Sequence, residues 1–223
     1  MHFFKMDGPL YRFLDRVTNL IVLNLIFILC CLPIVTIGPA LTALYYVTLK
    51  IQRGEEPAIF KTFFHSFRTN FKQGLGLGIS VLLIAALLIF DITALTSVVN
   101  IPASIAQILI FLSIFLLIAL GLVVLYVFAV LAQFDNNTFQ LVKWSVILSI
   151  RHLPVTFISA TLVALPFLSF LFLPEIFLRV TVPVMVLIGF SGIALLQSFF
   201  YARIFALYMP SEDAHAQEEE PVE

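Results

Sequence analysis

Histidine, cysteine and glycine are the residues whose spacing would first indicate catalysis, metal binding or nucleotide binding in this chain. His65 and His152 have no second metal ligand at i+3 or i+4, and the other two histidines lie near the chain ends. No His-Glu-x-x-His motif, nucleotide-binding glycine loop or paired-cysteine motif is present. Cys30 and Cys31 are adjacent, which is too close for an ordinary disulfide. The sequence therefore predicts no catalytic, metal-binding or cofactor-binding residue, and a protein that is not an enzyme.

Polar residues inside apolar runs are the remaining candidates for chemistry, because an ionisable group in a membrane is costly and usually functional. Four stand out: Asp91, Gln107, Asn24 and Gln197. Asp91 has two interpretations. It is either a solvated or hydrogen-bonded carboxylate near a helix end, or a buried carboxylate that faces Gln107, Asn100 or Gln197 in a polar pocket. Asn24 and Gln197 are predicted to form hydrogen bonds between helices.

The elements that must position these residues are membrane helices. Apolar residues make up 61% of the 223 residues and charged residues 11%, whereas soluble domains have about 25% charged residues. A bilayer core of about 30 Å requires roughly 20 apolar residues in a helix. The sequence therefore predicts an all-α membrane protein, a six-helix bundle within one polytopic domain over residues 1–210. The predicted spans are 19–37, 39–53, 75–99, 102–132, 154–173 and 180–208, and the acidic tail 211–223 is predicted to be disordered.

The first apolar run is interrupted near its middle, and the interruption determines the predicted topology. Pro33, Gly38 and Pro39 lie within residues 19–49, and proline is favoured in the first turn of a helix. A hairpin of a full helix and a short second helix places every Lys and Arg except Arg179 on one side of the membrane. Because basic residues favour the cytoplasm, both termini are predicted to be cytoplasmic. A single crossing would instead place the two basic groups that flank the run on opposite sides.

Short helices are predicted at the cytoplasmic surface, over Pro9–Val17, Pro57–Lys72 and Thr138–Ile150. The second has an aromatic stripe beside a basic stripe, which is typical of an interfacial amphipathic helix. Its residues include Phe60, Lys61, Phe64, Phe67, Arg68, Phe71 and Lys72. The aromatic stripe is predicted to contact either lipid or a groove on another protein. Gly74 and Gly78 form a Gly-x-x-x-Gly pair, which allows another helix to approach closely.

Several short stretches in the first quarter of the chain form a recognisable pattern. They are Asn24-Leu25 to Leu32-Pro33, Ile37-Gly38-Pro39-Ala40, Thr42-Ala43-Leu44-Tyr45 and Arg53-Gly54-Glu55. The pattern resembles the YesL-like family of bacterial integral membrane proteins (domain of unknown function 624), and the likeness covers most of residues 7–208. No activity or catalytic residue is established for that family.

The resemblance implies a multi-pass protein of the bacterial cell membrane. Because relatives are commonly encoded beside sugar ABC permeases, it also implies an accessory subunit or assembly factor of a carbohydrate ABC importer. The predicted partners are membrane lipids and carbohydrate ABC permease subunits, with self-association left open and no nucleic acid. The alternative is a self-sufficient small-solute transporter or channel that uses Asp91 and nearby amides.

Overall fold

The structure is a computed structural model that describes residues 9–97, 102–134 and 137–208. The described residues form eight helices and no strand. They are α1 (Pro9–Cys31), α2 (Ile37–Gln52), α3 (Ile59–Thr69), α4 (Phe71–Ser97), α5 (Ala103–Gln133), α6 (Thr138–Arg151), α7 (Leu153–Phe172) and α8 (Pro174–Ala206). The predicted disorder of the acidic tail lies outside the described residues.

Six of these helices are long and apolar enough to cross a membrane, namely α1, α2, α4, α5, α7 and α8. This confirms the predicted all-α membrane fold. The predicted bounds need three corrections. Residues Pro9–Val17 are the first turns of α1 and not a separate surface helix; α1 ends at Cys31 and not at 37; and α8 begins at Pro174 and not at 180. α1 ends early because the ring of Pro33 disfavours helical geometry in the residue before it.

The break between α1 and α2 is a short 3₁₀ turn over Ile34–Thr36 that follows Pro33. The Thr36 hydroxyl lies within hydrogen-bond distance of two backbone carbonyls at the break, 2.6 Å from that of Cys30 and 2.7 Å from that of Pro33. Helix ends leave carbonyl groups without an intrahelical partner. The Thr36 hydroxyl therefore gives the Cys30 carbonyl a partner at the break, while the Pro33 carbonyl also accepts the backbone N–H of Thr36 at 2.9 Å. The predicted break is confirmed.

Three glycines allow α2 and α4 to touch through their backbones. A Cβ atom on Gly38 would lie 2.1 Å from the carbonyl oxygen of Gly74 and 3.2 Å from the Cα of Gly78. A Cβ on Gly74 would lie 3.0 Å from the Cα of Pro39. No side chain fits at these separations, so the Gly-x-x-x-Gly pair serves the close helix packing for which the sequence singled it out.

α2 is the shortest of the span-length helices and lies at the centre of the bundle. Of its apolar window 56% is buried inside the protein, against at most 22% for the other five helices. Tyr45, Thr48 and Gln52 cover two turns of α2, yet all three bond to the short segment 195–198 of α8. α2 therefore packs closely against α8.

The length of α2 bears on the topology of the chain. The 16 residues of α2 alone measure about 24 Å along the helix. Only together with the preceding 3₁₀ turn, as the 19-residue segment Ile34–Gln52, do they approach the bilayer core of about 30 Å. The number of crossings, and with it the predicted cytoplasmic location of both termini, stays a prediction.

The C-terminal ends of α2, α5 and α8 converge on one side of the bundle, where α6 also packs. The Arg53 guanidinium, just after α2, donates to the side chain of Gln133 at the end of α5. The ring centroids of Phe134 and Phe205 are 5.5 Å apart, and those of Trp144 and Tyr208 are 6.0 Å apart. We call this side the basic end, after its residues Arg53, Lys143, Arg151 and Arg203. Further from it, α4, α5 and α7 expose large apolar side chains such as Phe90, Phe111 and Phe167, as expected for lipid contact.

Candidate functional site

Asn24 of α1 is fully buried and bonds to the backbone of α8. Its side-chain amide nitrogen donates to the carbonyls of Met185 at 2.9 Å and Val186 at 2.8 Å. Its side-chain oxygen accepts the backbone N–H of Ser191 at 2.9 Å. In return, the Ser191 hydroxyl donates to the carbonyl of Leu20 in α1 at 2.8 Å. These bonds join α1 to α8, and they are of the kind predicted for Asn24, namely hydrogen bonds between helices.

The local geometry of α8 explains why a side chain can insert there. Residues Met185–Gly189 form a π-helical stretch inside α8, which shifts backbone pairing from the fourth to the fifth residue. Backbone groups inside a membrane must find a partner within the protein. Asn24 supplies both an acceptor and donors at this point, so it stabilises an irregular helix and has no visible role in chemistry.

Gln197 of α8 joins three helices at a point near the basic end. Its side chain is 1% exposed. Its oxygen accepts the Tyr45 hydroxyl of α2 at 2.6 Å, and its nitrogen donates to the carbonyl of Ser159 in α7 at 3.2 Å. The predicted role of Gln197 in bonding between helices fits these contacts.

Three tyrosine rings, each in contact with the next, extend from Gln197 through Tyr45. We call the four residues the tyrosine–glutamine cluster: Tyr45, Tyr126, Tyr201 and Gln197. The ring centroid of Tyr201 lies 6.1 Å from that of Tyr45 and 4.8 Å from that of Tyr126. The Tyr126 hydroxyl bonds to that of Thr156 at 2.9 Å, and the Tyr201 hydroxyl donates to the Leu125 carbonyl at 3.1 Å. Every polar tip in the cluster has a protein partner, so the arrangement joins α2, α5, α7 and α8 without an acidic or basic group.

Asp91 lies elsewhere in the bundle, half-buried on α4. Its carboxylate accepts a hydrogen bond from the Ser113 hydroxyl of α5. The interpretation that it faces Gln197 is wrong, because Gln197 bonds to α2 and α7. Gln107 is exposed on α5, and Asn100 lies outside the described residues. The four polar candidates therefore do not form one site.

The aromatic stripe of α3 is divided between the interior and the surface of the protein. Phe63 is fully buried, and Phe64 and Phe67 pack against the core. Phe60 is 65% exposed. The expectation of one lipid-facing or partner-facing stripe is therefore wrong for most of these residues, because α3 packs its aromatic side against this chain's own core. Phe71 and Lys72 belong to α4, since the chain bends at Asn70.

A groove of about 910 Å³ remains between α2 and the exposed side of α3. We call it the α2–α3 groove. It is lined by Tyr46 and Lys50 from α2 and by Phe60, Lys61, Thr62, Phe64, His65, Arg68 and Thr69 from α3. Lys61 and Arg68 are two of the basic residues that the sequence singled out, so the structure brings them together at one surface.

The described part of the chain has no cluster of side chains suited to a metal ion. Within residues 9–97, 102–134 and 137–208, no three His, Cys, Asp or Glu side chains come close enough to hold a metal ion. The expectations of no metal, no cofactor and no catalytic residue stay predictions.

The main contact residues that sequence reasoning missed are Ser113, Ser191 and the three tyrosines of the cluster. The tyrosines carried a usable signal, because each lies inside an apolar segment and a buried tyrosine hydroxyl normally has a hydrogen-bond partner. The serines carried none, since serine occurs throughout the apolar segments. Their partners depend on which helices pack together.

Comparison with known protein families finds a match to part of the chain. The chain matches no curated protein and no solved structure. The family match covers residues 20–92, a segment that runs from within α1 to within α4 and includes Gly38, Gly74 and Gly78. Over residues 20–92 the chain matches the family described as "Protein of unknown function, DUF624", which confirms the predicted resemblance for this segment.

Proposed function

We propose that this multi-pass membrane protein is a non-enzymatic accessory subunit or assembly factor of a carbohydrate ABC importer. The link to such importers is supported by the family resemblance alone. The DUF624 match over residues 20–92 supports that resemblance and not the importer link. The proposed partners are permease subunits and membrane lipids. The proposed location is the bacterial cell membrane with both termini in the cytoplasm.

The separation of the polar residues inside the bundle is the observation that supports a role in contacting another protein. Asn24 bonds to the α8 backbone, Gln197 to Tyr45 and the Ser159 carbonyl, and Asp91 to Ser113. A polar path for a solute needs such groups next to one another and open to water. In the described part of the chain they lie apart and are bonded to protein. This arrangement is consistent with helices that form a fixed surface to which a partner protein binds.

Affinity purification from a mild detergent tests the proposal. The full chain, tagged at the end of its C-terminal tail, is expected to recover the permease subunits in stoichiometric amounts. An unrelated multi-pass protein with the same tag serves as the control. Repeated purification without permease subunits would overturn the proposed role.

Photo-crosslinking can then locate the contact. A crosslinking residue at Phe111, which is exposed on α5, or at Phe167, which is exposed on α7, is expected to reach a permease subunit. The same residue at Ala129, which is fully buried, is the matched negative control. Crosslinks to lipid alone from both exposed sites would argue against a contact through these helices.

A self-sufficient transporter or channel is the second candidate, and one observation favours it. Asp91 is half-buried between two span-length helices, where an ionisable side chain is costly to keep. In reconstituted vesicles this alternative predicts solute flux that Asp91→Asn abolishes while the protein still folds. An accessory subunit predicts no flux from either protein. Flux that Asp91→Asn leaves unchanged would remove Asp91 from any mechanism.

A further inference from the structure

We propose that the α2–α3 groove is a binding site for the headgroup of an anionic phospholipid. This inference goes beyond the proposed role in an importer and does not depend on it. The groove combines unpaired basic side chains with an aromatic wall of which Phe60 is exposed and Phe64 and Tyr46 are half-buried, and it lies beside helices that are long and apolar enough to span a membrane.

The basic side chains of the groove lie on one face of α3. Lys61, His65 and Arg68 are four and three residues apart, which places them on the same side of a helix. All three are exposed, and none forms a hydrogen bond or ion pair through its side chain with another described residue. Lys50 on the facing helix is already paired, because its ammonium group lies 2.8 Å from the Glu55 carboxylate. The positive charges of Lys61 and Arg68 therefore remain available for an anion.

The aromatic wall indicates that the anion has an apolar part. Phe60 is exposed and its ring lies 4.7 Å from that of Phe64, while Tyr46 faces them from α2. A free phosphate ion would use the cations alone. The glycerol backbone and first acyl carbons of a phospholipid would also cover the aromatic rings, and this burial is favourable. Basic and aromatic side chains together are typical of protein surfaces at headgroup depth.

The chain's own acidic tail is the competing occupant. Six acidic residues lie in the last twelve positions, and they would complement the charge of the groove. However, residues 211–223 contain no aromatic residue and no Leu, Ile or Met. The tail would neutralise the cations and leave Phe60 exposed. A phospholipid satisfies both parts of the groove, and for this reason we assign the site to lipid.

Native mass spectrometry of the full-length protein in a non-ionic detergent tests the assignment. Delipidated protein is titrated with phosphatidylglycerol, with phosphatidylcholine and with inorganic phosphate. The paired variant Lys61→Gln/Arg68→Gln removes two groove charges. The control variant Lys143→Gln/Arg179→Gln removes two exposed charges away from the groove. All four residues are exposed, so both variants are expected to fold.

The proposal predicts that the native protein retains phosphatidylglycerol over phosphatidylcholine. The Lys61→Gln/Arg68→Gln variant is expected to bind it about 25-fold more weakly, at roughly fivefold for each charge. The control variant is expected to bind as the native protein does. Phe60→Ala is also expected to bind phosphatidylglycerol more weakly than the native protein does. It is expected to leave any binding of inorganic phosphate unchanged.

Three results would overturn the proposal. Equal losses in the two paired variants would show non-specific attraction to positive charge. Binding of inorganic phosphate as tight as that of phosphatidylglycerol would show a site for a free anion. Lipid binding that appears only after residues 209–223 are removed would assign the groove to the tail.

Discussion

The backbone N–H of Ser191 in α8 donates to the side-chain oxygen of Asn24 in α1 at 2.9 Å, across an interface between two span-length helices. The same asparagine bonds to two α8 carbonyls within the π-helical stretch, at 2.9 and 2.8 Å. One side chain thus completes the backbone pairing of another helix. Because a membrane offers no water to replace these bonds, the contact is expected to determine where α1 attaches to α8.

Replacement of Asn24 with leucine tests this contact. Asn24→Leu keeps a similar volume but removes three hydrogen bonds, so we expect the free energy of unfolding to fall by about 2 kcal/mol, at roughly 0.6 kcal/mol for each bond. The measurement is unfolding of the purified protein in mixed micelles. Asn19→Ala is the matched control, because the Asn19 amide bonds only to Asp15 at an exposed position of the same helix. Equal stability of the two variants would contradict the role assigned to Asn24.

Close backbone contact between α2 and α4 leads to a second prediction. A methyl group at residue 38 would lie 2.1 Å from the Gly74 carbonyl oxygen, so Gly38→Ala must separate the helices. We expect a loss of about 3 kcal/mol in unfolding free energy, at the upper end for overpacked sites, or failure to accumulate in the membrane. Gly76→Ala is the control, since nothing lies within 4 Å of its added carbon; it should be neutral or slightly stabilising. A stable, normally folded Gly38→Ala protein would contradict the packing described.

The bond between Tyr45 and Gln197 supports a third prediction. Tyr45→Phe removes one hydroxyl and leaves the buried Gln197 oxygen without that donor, so we expect a loss of about 1–2 kcal/mol in unfolding free energy. Tyr46→Phe is the control, because the neighbouring hydroxyl bonds to no described residue. A double-mutant cycle with Gln197→Leu should show coupling between the two positions. Strictly additive losses would mean that the bond does not contribute to stability.

The topology of the chain gives a fourth prediction. With both termini in the cytoplasm, a reporter fused to the N-terminus and a cysteine at position 55 should both be inaccessible to reagents that cannot cross the membrane. The cysteine is introduced after Cys30 and Cys31 are replaced, because both are free thiols. An external N-terminus with an internal position 55 would show that α2 turns back within the membrane and would overturn the predicted hairpin.

The amino-acid sequence alone determined the class of the fold and the positions of its strongest interruptions. Long apolar runs can only be helices in a bilayer, since an unpaired backbone is too costly there. Pro33 could be recognised as a break because Gly38 and Pro39 follow it closely, whereas Pro166 by itself stays inside α7. The Gly74 and Gly78 pair could be assigned to close packing because only small side chains permit it.

Only the tertiary structure decided which residues meet. The sequence could not show that Asn24 bonds to α8, that Asp91 pairs with Ser113 and not with Gln197, or that Phe63 faces inward from α3. The physical reason is that membrane helices are apolar on most sides, so periodicity does not reveal which side faces lipid and which faces protein. Their contacts depend on the rotation and crossing angle of each helix, and these are determined by all the helices together.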